Sequence, residues 1–165
     1  FAYTGGATLA AAAAGATVTH VDASKGMVTW AKENAVSSGL KDAPIRWLVD
    51  DCVKFVEREI RRGNTYDAII MDPPSYGRGP KGEIWKIEDM IHPLIRLCAK
   101  ILSEDALFFL VNSYTTGLAP AVLTYMISTE LKSWNGHVDS QEIGLPVTNS
   151  GLVLPCGASG RWESR

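Results

Sequence analysis

The chain has 165 residues, of which 46% are hydrophobic and 21% charged, with a formal net charge of −2. That length and balance suit one globular domain with a real hydrophobic core and exclude a disordered chain. A charge so near neutral excludes a global positive field, so any nucleic-acid binding needs a local patch or a region beyond this sequence.

The first elements follow from propensity and punctuation. Ala7 to Ala14 is a small-residue run with high helix propensity, and Gly15 stands where helices stop. Thr17 to Val21 is β-branched and apolar, a buried parallel strand ending at Asp22. Ser24 is placed to cap a helix over Lys25 to Ser38, terminated by Gly39. Ile45 to Val49 reads as the next strand and runs into Asp50 and Asp51. Cys52 to Arg62 is an amphipathic helix with Val53, Val56 and Ile60 on one face, closed by Gly63 and Asn64.

Tyr66 to Met71 is another apolar strand, followed by Asp72-Pro73-Pro74, the glycine-rich loop Gly77 to Gly82, and a helix over Ile84 to Leu102. Ala106 to Val111 reads as a strand. Leu118 to Lys132 reads as a helix with Pro120 in its first turn, where no amide donor is needed. His137 to Ile143 and Gly151 to Cys156 form an antiparallel pair across a Thr-Asn-Ser-Gly turn. Strands alternating with helices predict a mostly parallel sheet with helices on both faces, ending in an antiparallel hairpin.

Phe1 is not an initiator methionine, and the turn at Gly5-Gly6 has almost no strand before it. The chain is therefore expected to be a fragment cut near the end of its first strand, with N-terminal sequence missing. Cys52, Cys98 and Cys156 are an odd number without a C-x-x-C pair, so neither a disulfide framework nor a zinc site is expected, and a reducing cytosol fits. The sequence has no apolar run near the ~20 residues of a membrane span and no recognisable secretory leader.

Ligands of open α/β sheets bind at the carboxyl ends of the strands. The residues expected there are Tyr3-Thr4-Gly5-Gly6, Asp22, Asp50-Asp51, Asp72-Pro73-Pro74 and Asn112-Ser113. Carboxylates on one sheet edge repel each other and lose hydration, so such a row is not expected by chance. Gly5 and Gly6 permit close backbone approach to a ligand, or simply a strand-to-helix turn. Asp22, 17 positions after Gly5, suits ribose hydroxyls. Asp51 with the Cys52 amide suits an adenine edge, and equally a helix N-cap. In Asp72-Pro73-Pro74-Ser75-Tyr76 the prolines stiffen the chain, Asp72 and the carbonyls offer acceptors, and Tyr76 offers a flat face for a base. The pair Arg78 and Lys81 suits a phosphate backbone or plain solvent. Arg58, Arg61 and Arg62 read as a solvated face.

Taken together, F-A-Y-T-G-G, V-D-A-S, V-D-D-C, M-D-P-P-S-Y and S-Y-T-T-G-L resemble the bacterial 23S ribosomal RNA large-subunit methyltransferases, the cytosine-5 and guanine-N7 enzymes among them. The ending G-L-V-L-P-C-G-A-S-G-R-W agrees. The resemblance implies a class I, Rossmann-like α/β fold over residues 1–165, S-adenosylmethionine as cofactor, no metal, ribosomal RNA as partner and a cytoplasmic enzyme. It implies a cofactor pocket of Phe1, Tyr3, Thr4, Gly5, Asp22, Ser24, Asp51, Cys52 and Asp72. Asp72, Pro73, Pro74, Ser75 and Tyr76 would lie beside the transferred methyl and receive the target base.

Cytosine-5 members carry a cysteine after the fifth strand, whose thiolate adds to the ring. Here that stretch, Ser113 to Leu118, has none. A nitrogen acceptor, which already owns a lone pair, is the expectation. A protein or small-molecule methyltransferase, or a nucleotide-binding domain without catalysis, are the alternatives.

Overall fold

A computed structural model describes residues 1–79, 82–115 and 117–165, so the sequence readings at Pro80, Lys81 and Thr116 lie outside the described residues. The chain forms two compact units, Phe1–Arg58 and Glu59–Arg165.

In the first unit, a turn closed by Gly5 N–H donating to the Ala2 carbonyl at 3.1 Å leads into helix α1, Gly6–Ala13. Strand β1, Val18–Asp22, pairs in parallel with β2, Ile45–Val49, in a register from Val18↔Ile45 to Asp22↔Val49. Between them runs α2, Lys25–Ser37, and Ser24 caps it by accepting from the Met27 amide at 3.3 Å. Leu40 N–H donates to the Ala35 carbonyl at 2.8 Å and Gly39 N–H to that of Val36 at 3.1 Å. This double closure is why the helix stops where Gly39 predicts. His20, buried in β1, sits with Nδ1 2.9 Å from Thr8 Oγ1 and its ring against Trp47. Burial holds its pKa below the ordinary value, against the pull of Asp22, so it serves as a neutral core residue.

Helix α3, Cys52–Arg62, crosses from the first unit into the second. Glu59, fully buried, accepts from Arg62 at 3.0 Å, Asn64 at 2.9 Å and Tyr66 at 2.7 Å. A buried carboxylate survives only with such donors around it. Then come β3 (Ala68–Met71), β4 (Tyr76–Arg78), β5 (Ile84–Lys86), α4 (Ile87–Ala99), β6 (Phe108–Ser113), α5 (Pro120–Glu130), β7 (Gly136–Pro146) and β8 (Val153–Ser164). Their four-stranded sheet has the order β3-β6-β8-β7, with β3 and β6 parallel and the β6–β8 and β8–β7 pairs antiparallel. Phe109, Val111, Ile95, Leu123, Ile127 and Trp162 fill its core. Gly160 lets α5 lie close on β8, since a Cβ there would stand 2.9 Å from both Leu123 and Ile127.

Three readings of the sequence are corrected. The helix expected from Ile84 begins at Ile87, because residues 84–86 pair with Tyr76–Arg78 as a small antiparallel ribbon, so part of the glycine-rich loop is strand. The strand expected over Ala106 to Val111 lies two residues later, and Tyr66 makes only an isolated bridge to Leu102 ahead of β3. The closing hairpin is longer than expected, and β8 runs past Cys156 to Ser164 and inserts between β6 and β7. Glycines at 157 and 160 obscured its period-2 alternation.

Candidate functional site

In the first unit, Asp22 ends β1 and the Asp50 amide donates to its carbonyl at 2.9 Å, carrying the ladder one step past β2. Asp22 Oδ2 accepts from the amides of Ala2 at 3.1 Å and Tyr3 at 3.0 Å, and Oδ1 accepts from the Ser24 amide at 2.8 Å. Burial alone would raise its pKa. Against burial, the amides of Ser24, Tyr3 and Ala2 favour the ionised form, and its pKa lies below the usual carboxylate value. Asp22 is therefore a firmly ionised carboxylate that ties the Phe1–Gly5 turn to the strand end, with acceptor capacity left on Oδ1.

The turn itself is tight. Gly5 has φ +87, and a Cβ there would lie 3.0 Å from that of Ala31 on α2. Thr4 is fixed through its carbonyl, which accepts from Asn34 Nδ2 at 2.9 Å, and Tyr3 has φ +50 with an exposed ring. The first amides of α1 have no intrahelical acceptor and carry the positive end of the helix dipole.

Asp51 Oδ1 accepts from the Lys54 amide at 2.9 Å, so Asp51 is the N-cap of α3. The cap occupies one of its oxygens, and the Cys52 amide, at the first helical position, has no intrahelical acceptor. The Cys52 thiol is half-buried, accepts from the Phe1 nitrogen at 3.4 Å, and burial raises its pKa. It is a neutral packing group. Asp50 pairs with Arg58, so Arg58 is not part of a merely solvated basic face.

In the second unit, Asp72 leaves β3 beside the end of β6, where Met71 is in register with Val111. Among the described residues its Oδ1 is buried without a hydrogen-bond partner, and burial raises its pKa. Pro73 is fully buried beneath it in sequence and fixes the chain. The carbonyls of the segment do not all face outward as expected from the sequence. That of Pro74 accepts from Trp85 Nε1 at 2.6 Å, and that of Ser75 from the Ile87 amide at 3.1 Å. Trp85 had no signal in the sequence. Its indole is what locks the proline corner to the β4–β5 ribbon.

Ser75 Oγ lies 2.6 Å from Thr115 Oγ1, clipping the corner to the segment after β6. Tyr76 is exposed and its hydroxyl accepts from Arg78 Nε at 2.9 Å. Sequence reasoning named Tyr114 only within a motif and set Cys156 aside, so neither was among the expected site residues. In the β6–β8 register Ser113 faces Ala158, which carries Cys156 to the same end of the sheet as Tyr114. Thus Asp72, Ser75, Tyr76 and Tyr114 gather at one end. A hollow of about 560 Å³, lined by Glu104, Asp105, Trp134 and Trp162, lies at the opposite end. Among the described residues no three metal-ligating side chains converge.

No protein-family model matches the chain. It is 34% identical over 103 residues to the ribosomal RNA large subunit methyltransferase K/L of Shewanella frigidimarina, covering 59% of this chain and 14% of that protein. Over 115 residues it is 30% identical to the ribosomal RNA large subunit methyltransferase K of Neisseria meningitidis serogroup B, covering 68% of this chain and 32% of that one. The crystal structure of a SAM-dependent methyltransferase from Agrobacterium tumefaciens matches with a TM-score of 0.94 at 42% identity, over 100% of this chain and 54% of that chain. The chain therefore spans about a third or less of these curated relatives. Its fold is the Rossmann-like α/β fold of class I methyltransferases, and the resemblance to the ribosomal RNA large-subunit methyltransferases is borne out.

Proposed function

We propose that this chain transfers the methyl group of S-adenosylmethionine to a nitrogen of a base in ribosomal RNA. The observation that carries the reading is the buried, unpartnered Oδ1 of Asp72 at the carboxyl end of a parallel strand, in a fold shared with methyltransferases. A buried polar atom without a partner costs about 1–3 kcal/mol, and an incoming N–H removes that cost. The relatives named for ribosomal RNA support the substrate class.

The residues fit the cofactor. Asp22 Oδ1 retains acceptor capacity for a ribose hydroxyl, with Ser24 next to it. Asp51 keeps one oxygen for an adenine amine while the Cys52 amide donates to the ring. The Phe1–Gly5 turn and the first amides of α1 suit the methionine end, with its carboxylate at the helix terminus. Bound there, the cofactor supplies a methyl on a sulfonium that leaves without help from an acid. The chain's own task is positioning. Asp72 would accept a hydrogen bond from the N–H of the acceptor nitrogen and take up the proton that N-methylation releases, while Pro73 and Pro74 keep the corner rigid and Tyr76 offers its face. A base in folded RNA must leave its stack to reach Asp72. Arg78 is placed on the adjoining ribbon for a phosphate contact. No helix among the described residues is long and apolar enough to cross a membrane.

Cys156 supplies the sharpest test of nitrogen against carbon. Its thiol donates to the Leu154 carbonyl at 3.6 Å. Cys156→Ser is expected to keep methylation within about threefold of wild type, measured with labelled methyl donor and unmodified 23S RNA. A covalent cytosine-5 route through Cys156 would lose several orders of magnitude. The general reading is tested by thermal shift and mass spectrometry. S-adenosylhomocysteine should raise Tm where NAD does not, and the digested RNA should contain an N-methylated nucleoside. Equal shifts with both ligands, or a C-methylated base, would overturn it.

A further inference from the structure

Tyr114 is the aromatic side chain at the Asp72 end of the sheet that neither the cofactor nor the proline corner uses. Its backbone is held on two sides. Behind it, β8 passes so closely that a Cβ on Gly157 would lie 2.9 Å from Tyr114 Cα. Beside it, Thr115 is clipped to Ser75 at 2.6 Å, which couples the residues leaving β6 to those leaving β3. The residue is 54% exposed, so its ring is open to a ligand. Burial, followed by the charges of Asp72 and Cys156, holds its phenol above the ordinary pKa, which marks Asp72 as an electrostatic neighbour.

An acceptor base is constrained in two independent ways. A carboxylate such as Asp72 can fix its edge but not the tilt of its plane, and a base out of its stack has lost the faces that would fix that tilt. An aromatic ring restores one of them.

We propose that Tyr114 is a substrate-positioning residue whose ring stacks on the acceptor base presented to Asp72. This rests on the RNA methyltransferase reading above. It adds a second aromatic contact to that of Tyr76, contributed by the segment after β6, the stretch that lacks the nucleophilic cysteine of the cytosine-5 enzymes.

The test compares Tyr114→Phe, Tyr114→Leu and Tyr114→Ala in the intact protein, with Tyr125→Ala on the outer face of α5 as a control. Unmodified 23S RNA transcript is the substrate, and S-adenosylhomocysteine affinity and Tm are measured alongside. Leu and Ala are expected to raise KM for RNA about tenfold, Phe to stay within about twofold, and Tyr125→Ala to match wild type. S-adenosylhomocysteine affinity and Tm should be unchanged throughout. Leu keeps more apolar bulk than Ala without a flat face, so it separates stacking from packing if Ala disturbs the fold. Wild-type KM in Tyr114→Leu, with an active parent enzyme, overturns this proposal and leaves the methyltransferase reading standing. A wild-type protein that binds S-adenosylhomocysteine yet methylates no RNA overturns both.

Discussion

Asp72→Ala is expected to lower methyl transfer at least about a hundredfold, the lower bound for removing a positioned acid–base group. S-adenosylhomocysteine affinity should change by less than about fivefold, because the adenosyl contacts are assigned to Asp22, Asp51 and Cys52. The same variant should be more stable than wild type. Among the described residues Asp72 Oδ1 is buried without a partner, and burial raises the carboxyl pKa, so the fold disfavours its ionised form. The sign follows from linkage. A carboxyl whose folded pKa is raised favours the folded state below its unfolded pKa, and that contribution is lost as pH rises through the folded value. Removing it should therefore gain about 1 kcal/mol near neutrality. Activity has the opposite dependence, since only the carboxylate accepts an N–H. The rate should fall on acidification through a pKa above the ordinary carboxylate value, and Asp72→Ala should abolish that limb of the profile. Steady-state kinetics against pH and urea denaturation of both proteins measure the two effects. Wild-type turnover in Asp72→Ala would remove Asp72 from the acceptor site, whatever the stability shows.

The local features of this fold were legible in the sequence wherever a single residue type decides the conformation. Ser24 had to cap α2, Gly39 had to stop it, and Pro120 suited only the first turn of α5. Those are short-range effects, complete within a few residues. β1, β2 and β3 followed from apolar runs ending at or just before an aspartate, and β6 from an apolar run ahead of Asn112. What remained hidden depended on partners distant in the chain. Residues 84–86 carry a helical pattern, and only the Trp85 indole on the Pro74 carbonyl, together with pairing to residues 76–78, makes them a strand. Asp51 was ambiguous as sequence, and the structure shows its capping bond without deciding whether the other oxygen binds adenine. The clip from Ser75 to Thr115 spans 40 positions, and two hydroxylated residues in loops carry no signal of meeting. Cys156 came to the end of β6 because β8 inserts beside it, a matter of strand order rather than of local pattern.

That insertion rests on Gly157, and Gly157→Ala should be the most damaging conservative change in the chain. A Cβ at this position would press well inside contact of the Ser113 carbonyl oxygen and stand 2.9 Å from both Ser113 C and Tyr114 Cα. These are backbone atoms of a paired strand, and no rotamer change can move them aside. The φ of +156 adds strain for any residue with a side chain. β8 must then part from β6 at its amino-terminal end or Ser113–Tyr114 must be pushed outward, and both lose ladder hydrogen bonds around a fully buried Ser113. We expect a loss of about 3 kcal/mol, at the upper end of overpacking effects, seen as a lower urea midpoint at unchanged m. Gly6→Ala is the contrasting change. Gly6 is helical and a Cβ there meets nothing within 4 Å, so alanine should be neutral or slightly stabilising. Under conditions where Gly157→Ala is still folded, methyl transfer should fall with S-adenosylhomocysteine affinity retained, because the displaced segment carries Tyr114 and the Thr115 clip but none of the adenosyl contacts. If Gly157→Ala were as stable and as active as wild type, the close passage of β8 behind Tyr114 could not be what holds the acceptor end of the sheet in shape.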